Sequence, residues 1–332
     1  DNNEFYFKDG NLTWFKNFKG MDSKWFYYWL LSPQGKSELN KCTIGSSQKA
    51  YTINLLYRLQ LDLPSLESQI NISSTISNYH DLIENNEKRI KILEEMAQRL
   101  YTEWFVKFRF PGHEKINMID SGTDFGIIPD GWKVKTLGET IKYVRGKSYS
   151  SEQISDTNGD YYLVNLKSFN RGGGFRFDGD KYYSGPINNN QLLVNGDIVV
   201  AVTDMTPDRA VIARPARIPK INFPKITLSA DAVKIVTSNL PLTFVYQVLS
   251  DYRFTQATKN KANGANVLHL KPDAILEYSL VVPDQNTLNL FDKLCSNVFS
   301  EVDCLIATNQ RLVEMRYLLI PQLITGRIEL KN

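Results

Sequence analysis

Leu59-Gln60-Leu61-Asp62-Leu63-Pro64 and Tyr278-Ser279-Leu280-Val281-Val282-Pro283 are two short strand-like runs, each stopped by a proline. Each proline stands 19 residues after a glycine that opens a polar loop, Gly45-Ser46-Ser47-Gln48 in one case and Gly264-Ala265-Asn266-Val267 in the other. The glycines are 219 positions apart, and so are the prolines, so the chain contains an internal repeat. Ile53, Leu55 and Leu56 bridge the first loop to its strand; Leu270, Ile275 and Leu276 bridge the second. Upstream, the apolar run Trp25-Phe26-Tyr27-Tyr28-Trp29-Leu30-Leu31-Ser32 is matched by Phe244-Val245-Tyr246-Gln247-Val248-Leu249-Ser250. Each copy therefore reads as an apolar helix, a glycine loop and a strand ending at proline.

A heptad stretch follows each proline. Ile76, Ile83, Ile90, Ala97 and Trp104 recur every seven residues in the first, beside a second stripe of Ile72, Tyr79, Leu93 and Leu100 that Asn86 interrupts. In the second stretch Phe291, Val298, Leu305, Leu312 and Leu319 recur every seven, partnered by Cys295, Val302 and Leu323 and interrupted by Asn309 and Arg316. A period of seven sustained this long predicts a helix-on-helix seam rather than one amphipathic helix lying on its own domain. Two equivalent helices in one chain can pair with each other, and an antiparallel pair would carry one globular unit at each end. Phe110-Pro111-Gly112 stops the first helix, since proline lacks the amide donor and glycine caps.

Residues 113–127 are polar and contain glycine, which reads as a linker, and Ile128-Pro129-Asp130-Gly131-Trp132 opens a new domain. Within it, Tyr161-Tyr162-Leu163-Val164, Asp197-Ile198-Val199-Val200-Ala201-Val202 and Ala232-Val233-Lys234-Ile235-Val236 are strand-type runs between turn signals. The predicted class is α+β: mixed-sheet domains joined by two long antiparallel heptad helices, a coiled-coil spacer. Its segments are 1–63, the later part of a first globular domain; 64–110, a spacer helix; 111–127, the linker; 128–283, a second globular domain; and 284–332, a distal spacer helix.

Composition narrows the function. Apolar residues at 42% and charged residues at 23% make an ordinary core-forming chain, and a net charge of +3 announces no global basic field. No apolar stretch is long enough to span a bilayer, and Asp1-Asn2-Asn3-Glu4 begins no signal peptide. Cys42, Cys295 and Cys304 form no CxxC pair and leave one over in any pairing, which fits a reducing cytoplasm. His80, His113 and His269 lack the neighbours of a zinc site or a catalytic triad. Gly146-Lys147-Ser148 resembles the end of a phosphate-binding loop, but Ile141 occupies the position of its first glycine. No Asn-Pro-Pro-Tyr or Asp-Pro-Pro-Tyr segment provides an amino-methyltransferase pocket. The chain is expected to do no chemistry itself and to hold no metal or cofactor.

Charge is segregated instead. Residues 130–280 carry 19 lysines and arginines against 14 acidic residues, whereas 66–105 carry four against seven. Arg145, Lys147, Ser148, Tyr149 and Ser150 form a basic, hydroxyl-rich loop. Asn165, Lys167, Ser168, Asn170, Arg171 and Arg176 form a second around the glycine run 172–174. Thr203-Asp204-Met205-Thr206 is a third polar tip, and Asn263, Asn266 and His269 are a fourth. Such side chains read base edges or clamp phosphates, so these loops are candidate DNA contacts. Residue by residue, a solvated loop remains the competing reading.

The same segments resemble the DNA-specificity subunit of type I restriction–modification systems. Ile128-Pro129-Asp130-Gly131-Trp132-Lys133-Val134-Lys135-Thr136-Leu137-Gly138 is similar to the entry of that family's target-recognition domain, and Arg145-Gly146-Lys147-Ser148 to the segment that follows. Asn195-Gly196-Asp197-Ile198-Val199-Val200 and Gly264-Ala265-Asn266-Val267-Leu268 are similar to its later landmarks. The run from Leu100-Tyr101-Thr102-Glu103 through Trp104-Phe105-Val106-Lys107 to Phe108-Arg109-Phe110-Pro111 is similar to the close of its central spacer helix.

The resemblance implies a non-catalytic reader of a split site in double-stranded DNA, with paired helices acting as a ruler. It implies two modification subunits docked on the helices, with Trp104, Phe105, Phe108 and Phe110 at the docking point, and restriction subunits beyond them. S-adenosylmethionine, ATP and magnesium would then belong to those partners. The first repeat lacks the opening motif, and the chain starts without methionine. The second repeat has 155 residues from Pro129 to Pro283 and the first only 63 before Pro64, so the expectation is that roughly ninety or more residues of a first recognition domain are missing, through truncation or disorder. A methylation-only or type II-like recognition subunit fits the same motifs, and a coiled-coil interaction scaffold fits the helices alone.

Overall fold

The offset of 219 positions returns element by element in the computed structural model, which describes residues 12–44, 50–177, 179–206, 208–264 and 267–330. Gly45, Ser46, Ser47 and Gln48 of the first glycine loop, and Ala265 and Asn266 of the second, lie outside the described residues. The first copy runs α1 (Ser23–Leu31), α2 (Pro33–Lys41), β1 (Thr43–Ile44), β2 (Ala50–Tyr51), α3 (Ile53–Leu56) and the long α4 (Leu66–Tyr101). The second supplies α5 (Leu242–Ser250), α6 (Tyr252–Lys259), α7 (Asp273–Leu276) and the long α8 (Gln285–Ile324). α5 begins and ends 219 positions after α1, α6 begins 219 after α2, and α8 begins 219 after α4. Even the caps correspond. Ser32 Oγ accepts the Gly35 amide at the head of α2, and Asp251 Oδ1 accepts the Arg253 amide at the head of α6. Each side chain satisfies a helix-end donor that has no partner in the helix.

Packing divides the chain into two compact units, residues 1–87 with 308–332 and residues 88–307, and each long helix contributes to both. In the first unit Trp25, Phe26, Tyr28 and Trp29 of α1 are buried with Ile72 and Ile76 of α4 and with Ile320, Leu323 and Ile324 of α8. Here the polar interruptions of the two heptad stripes meet. Asn86 Nδ2 donates to Asn309 Oδ1 at 2.8 Å, and Asn309 Nδ2 reaches the Ile83 carbonyl at 3.4 Å. In the second unit Trp104 and Phe105 pack on Phe291 of α8 with ring centroids 5.9 and 4.8 Å apart. Within each unit α4 residues of rising number meet α8 residues of falling number, an antiparallel seam of the predicted stripes.

Two local features depart from the sequence reading. The first helix does not run to Phe110-Pro111-Gly112. It widens into a π-turn over Thr102–Val106, where the Lys107 amide bonds to the Thr102 carbonyl, and then breaks at Phe108, whose φ is +58°. In that turn Trp104 and Phe105, neighbours in sequence, are both buried. The segment read as a linker contains a ribbon, β3 (Met118–Asp120) paired with β4 (Ile127–Pro129), because Gly122 and Gly126 supply the left-handed turn between apolar runs.

The rest of the second unit is sheet. In chain order its strands are β5 (Lys133–Thr136), β6 (Ile141–Arg145), β7 (Ile154–Ser155), β8 (Tyr161–Val164), β9 (Tyr182–Tyr183), β10 (Ile198–Ala201) and β11 (Thr203–Asp204). β12 (Pro215–Arg217), β13 (Ile226–Leu228), β14 (Ala232–Thr237), β15 (Leu268–His269) and β16 (Ser279–Val282) complete them. One four-stranded sheet has the order β12-β10-β14-β6 and a second β13-β8-β9-β7, with β13 and β8 parallel. β10 lies in the middle and is buried on both faces. Ile198 and Val200 face the core that contains α5, and Val199 and Ala201 face the core under β8 and β13. That alternation is the two-residue period of a strand. β16 pairs antiparallel with β5, Val282 opposite Lys133 and Ser279 opposite Thr136. Among the described residues no helix is long and apolar enough to cross a membrane.

Candidate nucleic-acid interface

Strand pairing gathers the polar loops at one end of the two sheets. Arg145 at the end of β6 lies opposite Val233 near the start of β14, and Ala201 at the end of β10 lies opposite Ala232. Val200 lies opposite Pro215 at the start of β12, and the parallel β8 and β13 end together at Val164 and Leu228. The two sheets join there: the Lys147 amide donates to the Leu228 carbonyl, and the Ser229 amide donates to that of Val164. Gly146 permits that approach, since a Cβ on it would stand 1.9 Å from the Ser229 carbonyl oxygen. Segments 146–150, 165–177, 179–181, 202–206 and 208–214 consequently share one rim. The fourth loop joins it through β15, where His269 pairs with Thr203 and with Asn263.

The sequence-predicted residues divide into those that face solvent and those that build the loops. Arg145, Ser148, Tyr149, Lys167, Arg171, Arg176 and His269 are exposed, and Lys147 is half-buried. The Arg145 guanidinium sits 5.8 Å from the Tyr143 ring centroid. Partial burial, reinforced by the Asp231 carboxylate, holds the Tyr149 phenol above its ordinary pKa, so the group stays a neutral hydroxyl donor. Arg171 donates to Asp208 Oδ1 at 2.6 Å, tying the glycine-run loop to the segment after β11. Gly172, Gly173 and Gly174 all have φ between +88° and +111°, a turn closed to residues with side chains.

Asn165, Ser168, Thr203 and Asp204, expected as contacts, are buried instead. Asn165 Oδ1 caps the short turn through the Lys167 amide, and Ser168 Oγ accepts the Asn165 amide. Asp204 accepts Thr206 N and Oγ1 at 2.6 Å and the Val211 and Ile212 amides at 2.7 Å. Burial pushes the Asp204 carboxyl up, but those four donors outweigh it and hold the group below the usual carboxylate range. Asn165, Ser168 and Asp204 shape the tips because their oxygens accept from backbone amides. Asn266 lies outside the described residues.

The aromatics expected at a docking point also serve the core. Trp104 and Phe105 are 6% exposed and Phe110 is 4% exposed. Phe105 meets Phe244 edge-to-face at 4.9 Å, while Phe110 stacks on Trp132 at 4.8 Å and Phe108 meets it at 5.7 Å. Their apolar area is spent on the second unit's own packing.

The structure adds two cations that sequence reasoning missed. Lys181 reaches the rim from the start of β9 and pairs with Asp156. Arg214 is half-buried, with Nη1 donating to Thr255 Oγ1 at 3.3 Å and Nε buried with no partner among the described residues. Burial pulls its pKa down, since no carboxylate compensates it. Among the described residues no cluster of histidine, cysteine or acidic side chains is arranged to hold a metal ion.

The sequence profile described as "Type I restriction modification DNA specificity domain" matches residues 1–95. The MjaIX specificity subunit of a type I restriction enzyme from Methanocaldococcus jannaschii is 24% identical over 94% of this chain and 71% of its own length. The HindI specificity subunit from Haemophilus influenzae is 20% identical over 83% of this chain and 71% of its own length. The solved S subunit of a type I restriction–modification system from M. genitalium is 14% identical, covering 92% of this chain and 73% of that one with a TM-score of 0.49.

Proposed function

We propose, for a chain that belongs to the family of type I restriction–modification DNA-specificity subunits, that it is the non-catalytic reader directing modification and restriction subunits to a split site in double-stranded DNA. The observation that carries this is the similarity to curated specificity subunits over 94% and 83% of the chain. The rim of loops supports the placement of the contacts. Arg145, Lys147, Lys167, Arg171, Arg176, Lys181 and Arg214 come together from segments far apart in sequence. Cations on such a rim neutralise phosphates, and the exposed ones reach base edges in the major groove.

In this reading the paired helices set the gap between half-sites, the methyl donor S-adenosylmethionine and the ATP and magnesium of translocation belong to the partner subunits, and the complex works in the cytoplasm. Trp104, Phe105, Phe108 and Phe110 act on assembly by holding the end of α4 in shape rather than by touching a partner.

The test is methylation mapping after co-expression with the modification subunits. A split motif whose one half changes when residues 128–283 are exchanged for those of a relative supports the reading. Absence of methylation, together with no DNA-dependent complex in vitro, leaves the coiled-coil interaction scaffold as the better account.

A further inference from the structure

The sheet β12-β10-β14-β6 has two ends, and the rim of loops occupies one of them. Pro215 opens β12 at the rim; Arg217 closes it at the far end, opposite Ile198 of β10. There the Arg217 guanidinium holds Asp303 of α8 by two bonds, Nη1 to Oδ1 at 2.6 Å and Nη2 to Oδ2 at 2.9 Å. The two side chains are only 19% and 17% exposed, and the guanidinium lies 5.1 Å from the Phe299 ring centroid. Asn195, in the turn before β10, donates to the same carboxylate and to the Ile218 carbonyl, both at 3.3 Å. Asp197 ties that turn to β14 through Lys234 at 2.7 Å. Contacts from three strands of the sheet thus converge on one residue of the spacer helix.

A second attachment to α8 lies nearer its start. Thr243 of α5 donates to Asp292 Oδ1 at 2.6 Å, beside the ring contacts of Phe244 with Phe291 and of Tyr246 with Phe299. Asp292 and Asp303 are eleven residues apart, which is about 16 Å along a helix. Two attachments at that spacing fix the angle of the sheet on the helix, whereas one leaves it free to turn. The three residues of β12 put the rim about 10 Å beyond Arg217. Over that arm a turn of about 20° displaces the rim by about 3.4 Å, the rise of one base pair.

We infer that Arg217 and Asp303 are positioning residues that restrict the protein to one gap between half-sites, by holding the reading sheet at a fixed angle on α8. The inference rests on the split-site reading proposed above and deepens it: the spacer's length gives the coarse gap, and the clamp excludes its neighbours. The chemistry suits that task. A planar fork on a carboxylate, half-sheltered by a ring, fixes direction as well as distance. An exposed pair on the same helix does not: Arg89 reaches Glu301 at 2.9 Å with the two side chains 52% and 47% exposed, and such pairs contribute little.

The experiment uses the full chain assembled with modification subunits. Methyl transfer is counted on duplexes carrying the two half-sites at the parent gap and at gaps one base pair shorter and longer. Arg217→Lys keeps the charge but loses the fork, and Asp303→Asn keeps the shape but loses the charge. Both should raise transfer on the altered gaps, relative to the parent gap, by about tenfold, the scale of one hydrogen bond to a charged group. The half-site bases should stay the same, and Arg89→Ala should leave the gap preference unchanged. Spin labels on the exposed Cys304 and on Lys167→Cys at the rim give a second readout on the chain alone, since Cys42 and Cys295 are buried. The distance distribution should be narrow in the parent and broader in both clamp variants. A parent complex with no split motif overturns the split-site reading and this inference with it. A parent with one gap, and variants that keep that gap or a narrow distribution, overturns this inference alone, as do variants that change the half-site bases instead.

Discussion

The two units share a helical frame and differ in what completes it. In the first, the end of α8 presents Ile324 where the second has Phe105, and the strand-like run before Pro64 lacks a paired neighbour among the described residues. In the second, a seam of aromatic rings continues through Trp132 into the β5–β16 ladder and on to the two sheets. Equivalent positions of the two frames therefore carry residues of different size. Substituting those residues tests the contrast directly, and the largest effect belongs to Phe105. Phe105→Ala removes a ring that touches Trp104, Phe244, Phe291 and Trp132 and should cost about 3–5 kcal/mol. Ile324→Ala at the equivalent position should cost less, about 2–3 kcal/mol. Urea unfolding of the full chain followed by tryptophan fluorescence checks both; equal costs would break the contrast between the units.

The elaborated unit also stores stability in its loop tips, and pH separates that store from the aromatic one. Asp204 holds four donors, and its carboxyl is depressed below the usual carboxylate range. A depressed carboxylate stabilises the fold above its unfolded pKa, and that contribution is lost as pH falls through the folded pKa. Asp204→Asn should therefore cost about 1–3 kcal/mol at neutral pH, the scale of leaving buried amides without their acceptor, and progressively less toward strongly acidic pH. Phe105→Ala has no such dependence. Paired melts across the acid range check this, and a constant Asp204→Asn penalty would refute it.

Much of this frame was legible in the sequence because periodicity and offset are global signals. The heptad stripes predicted the buried positions Ile76, Ile83, Ala97, Trp104, Phe291 and Leu305, and the repeat of 219 placed α1 against α5 and α4 against α8. The loop roles were less legible because a short polar side chain reads alike whether it meets DNA or a backbone amide. Asn165, Ser168 and Asp204 went to amides and Thr203 is buried, and only the fold says so. The aromatic run 104–110 was ambiguous for a related reason: a cluster of rings at a helix end suits a partner surface or a core equally well. Arg214 was missed outright, since its half-burial comes from α6, some forty positions away.

Arg214 also sharpens the comparison of cations within the reading domain. Arg171 already has Asp208 as its partner, whereas Arg214 has only a hydroxyl among the described residues. If both reach DNA phosphates, Arg214 gains more from the new anion because it gives up no carboxylate. Arg214→Ala should weaken binding of the assembled complex to all sequences alike, by about tenfold, and lower the salt-dependence slope by about one. Arg171→Ala should do less, because Asp208 is freed at the same time. Titrations at several salt concentrations check the order; a larger effect at Arg171 would reverse it.

The smallest effect lies in the seam. Asn86 and Asn309 interrupt two apolar stripes at positions that face each other, and Asn86 Nδ2 donates to Asn309 Oδ1 while Asn309 Nδ2 reaches the Ile83 carbonyl. Asn86→Leu should cost about 1 kcal/mol, because Asn309 Oδ1 loses its donor inside an apolar seam. Replacing both by leucine should recover that loss or exceed it, since buried apolar pairs outweigh a matched polar pair in stability. What the double variant gives up is register: leucines along the whole stripe also tolerate a shift by one heptad, which an asparagine pair disfavours. Calorimetry checks the stability order, and disulfide trapping of cysteines placed at positions 90 and 305 reads the register. A double variant that is more stable yet crosslinks as efficiently as the parent would assign the pair to stability alone, and a spacer that had to keep a fixed length would then need another device in the first unit.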